Sequence, residues 1–251
     1  MESDGLMVRV AIIPARGGSK RLRGKNVRSF FGHPMLAYAI AAAENTRLFG
    51  EIVVSSEDPE IGGIAKWYGA RYLERPAFLA TDEASLVDVA LHMLDVLISE
   101  GKRPMELCQL MPNCPLRTSK DIADLHQDFE TNARDFQISA IPYRGVYPHW
   151  AMVVDEMGRG RWAFGQEFLV QSQSLSRTYC PTGATWWVRT EPFQREKSFY
   201  GPGFCVAPMP PNEGIDIDTE EDLHLAELLV KGQLYDGKNP LEPIRQVAFA
   251  G

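Results

Sequence analysis

Between residues 8 and 141 the chain alternates short apolar runs with segments whose apolar residues recur at helical spacing, and this alternation restricts the fold more than any other feature. The runs Val8 to Ile13, Ile52 to Val54, Met105 to Met111 and Phe136 to Ile141 have the length and β-branched content of buried strands. Between them the spacing predicts four helices. One covers about 34 to 46, with Pro34 in a position a first turn tolerates and Met35, Leu36, Ala39, Ile40 and Ala43 on one face. A second spans Ser56 to Ala70 with a cap at its start and Gly69 near its end. A third places Leu86, Val89, Ala90, Met93 and Leu97 on one core-facing stripe, and the fourth runs from about Ser119 to Glu130. Strands alternating with helices predict a parallel sheet covered on both faces, an α/β, three-layer, doubly wound architecture. At 251 residues the chain is long enough for one such domain with its own core.

The rhythm breaks from Pro142 to Pro181, where Pro142, Gly145, Pro148, Gly158, Gly160 and Gly165 separate short segments rich in Tyr and Trp. This stretch reads as an inserted subdomain, residues 142–181 within a single domain of 1–251. Its runs Trp150 to Val154 and Arg161 to Phe164 form a predicted hairpin. Strand character resumes at Ala184 to Val188 and Phe204 to Ala207. A closing helix, Thr219 to Val230, carries Leu225, Leu228 and Leu229 on its expected inner face, and nothing beyond Gly232 is legible.

Several functional classes are disfavoured. No apolar run reaches the length of a membrane span, and Met1-Glu2-Ser3-Asp4 lacks the basic start of a signal peptide, so a cytoplasmic protein without membrane partners is expected. Cys108, Cys114, Cys180 and Cys205 form no C-x-x-C pair and do not interleave with histidines at zinc-ligand spacing. The net charge of −7 disfavours nucleic acid as a partner. That charge is unevenly placed, however. Gly5 to Ala43 holds seven basic residues and no acid, a segment of +7 that leaves −14 for the rest, whereas Glu213 to Glu227 holds seven acids and no Lys or Arg. One region suits an anion and the other a cation.

The basic region is concentrated in Ala15-Arg16-Gly17-Gly18-Ser19-Lys20-Arg21-Leu22-Arg23-Gly24-Lys25-Asn26, directly after the first strand. Consecutive glycines let a backbone turn tightly and present N–H groups to an anion. Arg16, Lys20 and Lys25 can neutralise phosphate oxygens, with Ser19 and Asn26 as hydrogen-bond donors. A Walker A loop would need Ser or Thr where Asn26 stands, and G-x-G-x-x-G is absent. In Gly214-Ile215-Asp216-Ile217-Asp218-Thr219, alternation with isoleucine sets both carboxylates on one face of an extended segment. Paired carboxylates together with substrate phosphates are the usual way of binding Mg²⁺. Helix capping by Asp218 or Thr219 is the plainer alternative, but it leaves Asp216 without a role.

These two motifs occur in order with Val54-Ser55-Ser56-Glu57-Asp58, Arg75-Pro76, Leu79-Ala80-Thr81-Asp82, Pro115-Leu116-Arg117 and Ser172-Gln173. The ordered set, spanning roughly residues 8 to 230, resembles the CMP-sialic acid synthetases, the cytidylyltransferases of N-acylneuraminate, pseudaminate and legionaminate. The resemblance implies a nucleotidyltransferase-like fold and a reaction in which CTP and a nonulosonic acid, a nine-carbon 2-keto sugar acid, give the CMP-sugar and pyrophosphate with Mg²⁺. It implies that Ala15, Arg16, Gly17, Gly18, Ser19, Lys20, Lys25 and Asn26 hold the triphosphate and that Arg75 and Ser85 help hold the cytidine. It further implies that Asp216 and Asp218 bind the metal, that Arg16 and Lys25 join them in catalysis, and that the insert dimerises, giving a homodimer or tetramer.

The chain departs from the sialate pattern at the expected sugar contacts. Met111 stands in place of a polar amide, Cys180 in place of an arginine and Thr182 in place of an asparagine. A less polar pocket is expected, one favouring a deoxygenated, diacylamido nonulosonic acid. Arg144, Arg161 or Arg177 could replace the missing cation, though each reads more simply as a surface residue. Trp150, Trp162, Trp186 and Trp187, and Cys114, are expected to serve packing, and His33 and His149 receive no role. Three other readings stay open: a cytidylyltransferase for the eight-carbon acid Kdo, a glycosyltransferase using Asp216-Ile217-Asp218 as its metal site, and a non-catalytic nucleotide-sugar binder.

Overall fold

The structure, a computed structural model, describes residues 7–143, 147–164 and 171–244. The alternation expected from the sequence is present. Strands β1 (Met7–Pro14), β4 (Glu51–Ser56), β5 (Arg71–Glu74), β6 (Arg103–Gln109), β7 (Phe136–Pro142), β10 (Tyr179–Arg189) and β11 (Cys205–Pro208) make one seven-stranded sheet. Its order is β11-β7-β10-β6-β1-β4-β5, parallel throughout except for β10, which runs antiparallel to β6 and β7. Two short pairs lie outside it: β2 (Ser29–Phe30) with β3 (His33–Pro34), and the hairpin β8 (Met152–Val154) with β9 (Gly160–Trp162).

Period-two alternation along β1 divides the core into layers. Ala11 and Ile13 join the apolar cluster of α1 (Met35–Thr46), α2 (Pro59–Trp67) and α4 (Ser119–Thr131). Val10 and Ile12 point the other way, into the cluster of α3 (Leu86–Ser99) and α5 (Thr190–Glu196). Both faces of the sheet are therefore covered, which is why β1 reads as a continuous apolar run. A third cluster at the end of the sheet combines Leu22, Phe30, Leu116 and Ile217 with Met35 and Tyr38 of α1 and Leu223, Ala226 and Val230 of α6 (Glu220–Tyr235). Leu22 from the basic loop and Ile217 from the acidic segment are both buried in it. One patch of apolar packing thus anchors segments almost two hundred residues apart in sequence.

Several expectations need correction. Helix α2 starts later than expected, and Asp58 rather than Ser56 caps it, its carboxylate accepting from the Glu60 N–H. Strand β5 was not expected. Strand β10 begins at Tyr179, so the last residues assigned to the insert already belong to the sheet. The inner face of α6 is Leu223, Ala226 and Val230, while Leu225 and Leu228 are about half exposed. Packing against α1 selects the narrower stripe. Beyond Gly232, α6 continues to Tyr235, and buried Glu242 accepts from the Ser119 N–H and the Asn45 amide.

Candidate active site

A cavity of about 610 Å³ opens where β1, β5 and β6 end, between the loop 15–26 and the segment 214–219. Carboxyl ends of strands are where open α/β sheets bind ligands. The wall after β1 carries Arg16, Ser19, Lys20, Arg21, Lys25 and Asn26, and facing it are Asp216 and Asp218. Arg75, Thr81 and Asp82 close a second side, and Leu79, Ala84, Leu86 and Trp186 give it an apolar end.

Side chains rather than backbone supply the positive charge. The Gly17 N–H donates to Glu57 Oε1 at 2.8 Å and the Ser19 N–H to the Gly17 carbonyl at 3.0 Å, so the expected cradle of free N–H groups is committed internally at both positions. Gly17 is required for a different reason: a Cβ there would lie 2.6 Å from Asp58 Oδ2. Asn26 donates its amide to the Arg16 carbonyl at 2.8 Å, tying the two ends of the loop together. Arg75 is 6% exposed and donates to the Ser55 hydroxyl and carbonyl, which fixes its guanidinium plane. Burial lowers its pKa.

Each aspartate has a distinct environment. Asp218 accepts from Lys25 Nζ at 2.7 Å and Arg21 at 2.8 Å, and from the Asn113 amide at 3.3 Å. Burial pushes its pKa up, but the two cations outweigh that and hold it below the usual carboxylate range. Asp216 has no such partner. It accepts from Cys114 Sγ at 2.6 Å and from the Gly183 N–H at 3.2 Å, and burial raises its pKa. At the opposite wall Asp82 engages both Arg16, at 2.7 Å, and Lys20. Arg16, Lys20, Arg21 and Lys25 are thereby balanced by two carboxylates, leaving an excess of positive charge for an anionic ligand.

The acidic pair suits a hard divalent cation. Asp216 and Asp218 both line the cavity, as does Asn113, whose buried Oδ1 has no hydrogen-bond partner among the described residues, an oxygen donor left over. Asp216, Asp218 and the phosphates of a bound nucleotide are the oxygen set that Mg²⁺ prefers.

The remaining sequence-derived residues are placed as follows. Met111 lines the cavity, packed so closely on Gly183 that a Cβ at residue 183 would meet it at 2.6 Å. Cys180 and Thr182 do not line it. Thr182 is buried and accepts from the Ala184 N–H, and the Cys180 thiol hydrogen-bonds with the Tyr143 hydroxyl. Ser85 is spent on a capping box with Asp88 at the start of α3, although its neighbours Ala84 and Leu86 reach the cavity. Neither Ala15 nor Gly18 lines the cavity: Ala15 is buried in the core, and Gly18 is exposed with open space where a side chain would stand. Cys114 is not mere packing, because it bonds Asp216. Of the tryptophans, Trp187 is core, Trp186 lines the cavity, and Trp150 and Trp162 are partly exposed. Arg161 and Arg177 are exposed, and Arg144 lies outside the described residues. Sequence reasoning missed Asp82, Asn113, Gly183 and Trp186. For Asp82 the signal was its place in the Leu79-Ala80-Thr81-Asp82 motif.

The fold and its cavity define a nucleotidyltransferase. Residues 10–144 match the cytidylyltransferase family model, and the chain belongs to that family. It is 32% identical over 227 residues to a pseudaminic acid cytidylyltransferase of Campylobacter jejuni, covering 90% of this chain and 97% of the relative. It is 29% identical to an N-acylneuraminate cytidylyltransferase of Escherichia coli, over 86% of this chain and 51% of that one. Among solved structures, CMP:2-keto-3-deoxy-manno-octonic acid synthetase complexed with CTP shares the fold, with a TM-score of 0.63 and 16% identity over 90% of this chain and 99% of that one.

Proposed function

We propose that this cytidylyltransferase activates a nonulosonic acid, joining it to CMP from CTP with release of pyrophosphate. The observation that carries the reading is the convergence of Arg16, Lys20, Arg21 and Lys25 with Asp216 and Asp218 on one cavity. Attack of a sugar hydroxyl on the α-phosphate develops negative charge on the nonbridging and leaving oxygens. Arg16, Lys20 and Lys25 neutralise the β- and γ-phosphates, Ser19 donates a hydrogen bond, and the Asn26 bond to Arg16 keeps the loop in shape. Arg75, rigid on Ser55, orients the nucleoside together with the apolar end of the cavity. Asp216 and Asp218 would hold Mg²⁺, which would supply Lewis-acid stabilisation of the phosphates. The same pair offers a carboxylate to take the proton of the attacking hydroxyl.

The sugar acid is of the deoxygenated, diacylamido kind, such as pseudaminic acid. Support comes from Met111, whose thioether leaves a buried sugar hydroxyl unpaired, and from likeness to the Campylobacter enzyme. The working unit is a homodimer joined through the β8–β9 hairpin, on which Met152, Val154 and Trp162 are all exposed. It operates in the cytoplasm, alongside its CTP supply. Pyrophosphate release tests the assignment: CTP with pseudaminic acid should give rapid release, N-acetylneuraminic acid slower release, and either substrate alone none. Release with Kdo but with no nine-carbon acid would overturn it.

A further inference from the structure

The turn that follows β6 grips the acidic segment at three successive points. The Asn113 carbonyl accepts from the Ile217 N–H at 2.8 Å, the Asn113 amide donates to Asp218, and Cys114 Sγ donates to Asp216 Oδ1 at 2.6 Å. Cys114 is fully buried, packed with Ala184, Met209 and Met111, and its thiol also hydrogen-bonds with Thr182. The Gly183 N–H adds a second donor to the same oxygen, at 3.2 Å, and reaches Oδ2 only at 3.4 Å. An aspartate side chain rotates freely about its last torsion, with two broad orientations, unless something pins it. Here Oδ1 is pinned twice, whereas Oδ2 has only the long Gly183 contact and keeps lone-pair capacity for a cation.

We infer that Cys114 is a positioning residue for metal binding: its thiol fixes the Asp216 carboxylate so that one oxygen is presented to the divalent ion. The inference rests on the reading of Asp216 and Asp218 as the metal pair and extends it one shell outward. Outer-shell hydrogen bonds of this kind typically change metal affinity by 10–100-fold. A hydroxyl can replace the thiol as donor, whereas a side chain that only fills space cannot.

The test measures Mn²⁺ binding by calorimetry, with CTP present and sugar absent, so that no turnover is needed. Cys114→Ala, which removes donor and volume, and Cys114→Val, which removes the donor and keeps volume, should each weaken Mn²⁺ about tenfold or more. Cys114→Ser should stay within about threefold of the unsubstituted enzyme. CTP binding without metal should be unchanged in all three. In turnover, the Mg²⁺ concentration for half-maximal rate should rise in the Ala and Val variants, and saturating Mg²⁺ should restore kcat. Unchanged Mn²⁺ affinity in a folded Ala or Val variant would overturn the positioning role while leaving the metal pair intact. Absence of CTP-dependent Mn²⁺ binding in the unsubstituted enzyme would overturn both.

Discussion

Gly17→Ala is the most informative single change, because its effect can be worked from distances. The added Cβ would sit 2.6 Å from Asp58 Oδ2 and 3.0 Å from Asp58 Cβ. Ordinary contact begins near 3.4 Å, so about 0.8 Å must be found. If Asp58 turns aside it gives up the Glu60 N–H, and losing an N-cap costs about 1 kcal/mol. For a domain of this size that lowers Tm by roughly 2–4 °C. Rotation does not move the Asp58 Cβ, so the loop must also shift, carrying Arg16 and Ser19 away from the phosphates. A misplacement of about 1 Å costs on the order of 10²-fold in rate. Steady-state kinetics with CTP as the varied substrate should therefore show kcat/KM down about 10²-fold, with only a small fall in Tm by calorimetry. In an Asp58→Gly background the three nearest contacts of that Cβ are gone, and its further cost should largely disappear. An equal penalty in both backgrounds, or full activity of Gly17→Ala alone, would refute the steric argument.

Lys25→Ala should lower kcat/KM for CTP by on the order of 10²-fold, and unaltered kinetics would reduce the loop to a solvated face. Asp216→Asn and Asp218→Asn should each abolish most turnover with little change in Tm; full activity in either removes that residue from the metal pair. Away from the site, Glu106 is 1% exposed; burial pushes its pKa up, but hydrogen bonds with His126, Glu130 and Arg9 outweigh this and bring it down to about 2. Its ionised form therefore stabilises the fold at pH above about 4.5, and this contribution is lost as pH falls towards 2. Urea melts should show Glu106→Gln less stable by on the order of 3 kcal/mol at pH 7, with the difference shrinking below pH 4.5; a pH-independent difference would contradict the linkage. Met152→Asp and Val154→Asp should shift the enzyme to monomer in sedimentation velocity, and an unshifted dimer would move the interface away from the hairpin.

How much was legible depended on whether a residue's role left a pattern. Strand β1, its loop and α1 were readable because burial on both faces makes a continuous apolar run and the helix keeps its stripe. Strand β5, Arg-Tyr-Leu-Glu at the sheet edge, is flanked by charges and only half buried, so nothing in its composition separates it from a loop. Pro181 and Gly183 hid the start of β10, since both normally mark a break. They lie where the pairing with β7 changes register between Pro181 and Trp186, and an irregularity tolerates them. Cys180 and Thr182 were assigned to the sugar from their place in a motif, but the strand sends them elsewhere and gives the cavity Gly183 instead. Asp82, Asn113 and Trp186 are isolated residues that only the topology brings together.

The basic loop and the acidic pair were visible for a reason that also bears on mechanism. Seven cations without an acid, and seven acids without a cation, are segregated in sequence, and from these stretches Arg16, Lys20, Arg21 and Lys25 face Asp216 and Asp218 across the cavity. Left apart, each would repel itself. The fold relieves this by burying Leu22 and Ile217 in a common apolar cluster, which brings Lys25 and Arg21 onto Asp218. Asp216 is excluded from that neutralisation and held by a thiol and an N–H instead, so its Oδ2 is met only by the Gly183 N–H at 3.4 Å. Asp218 secures the loop to the acidic segment through Lys25 and Arg21, and on the proposed reading both aspartates then meet the cation that arrives with the nucleotide.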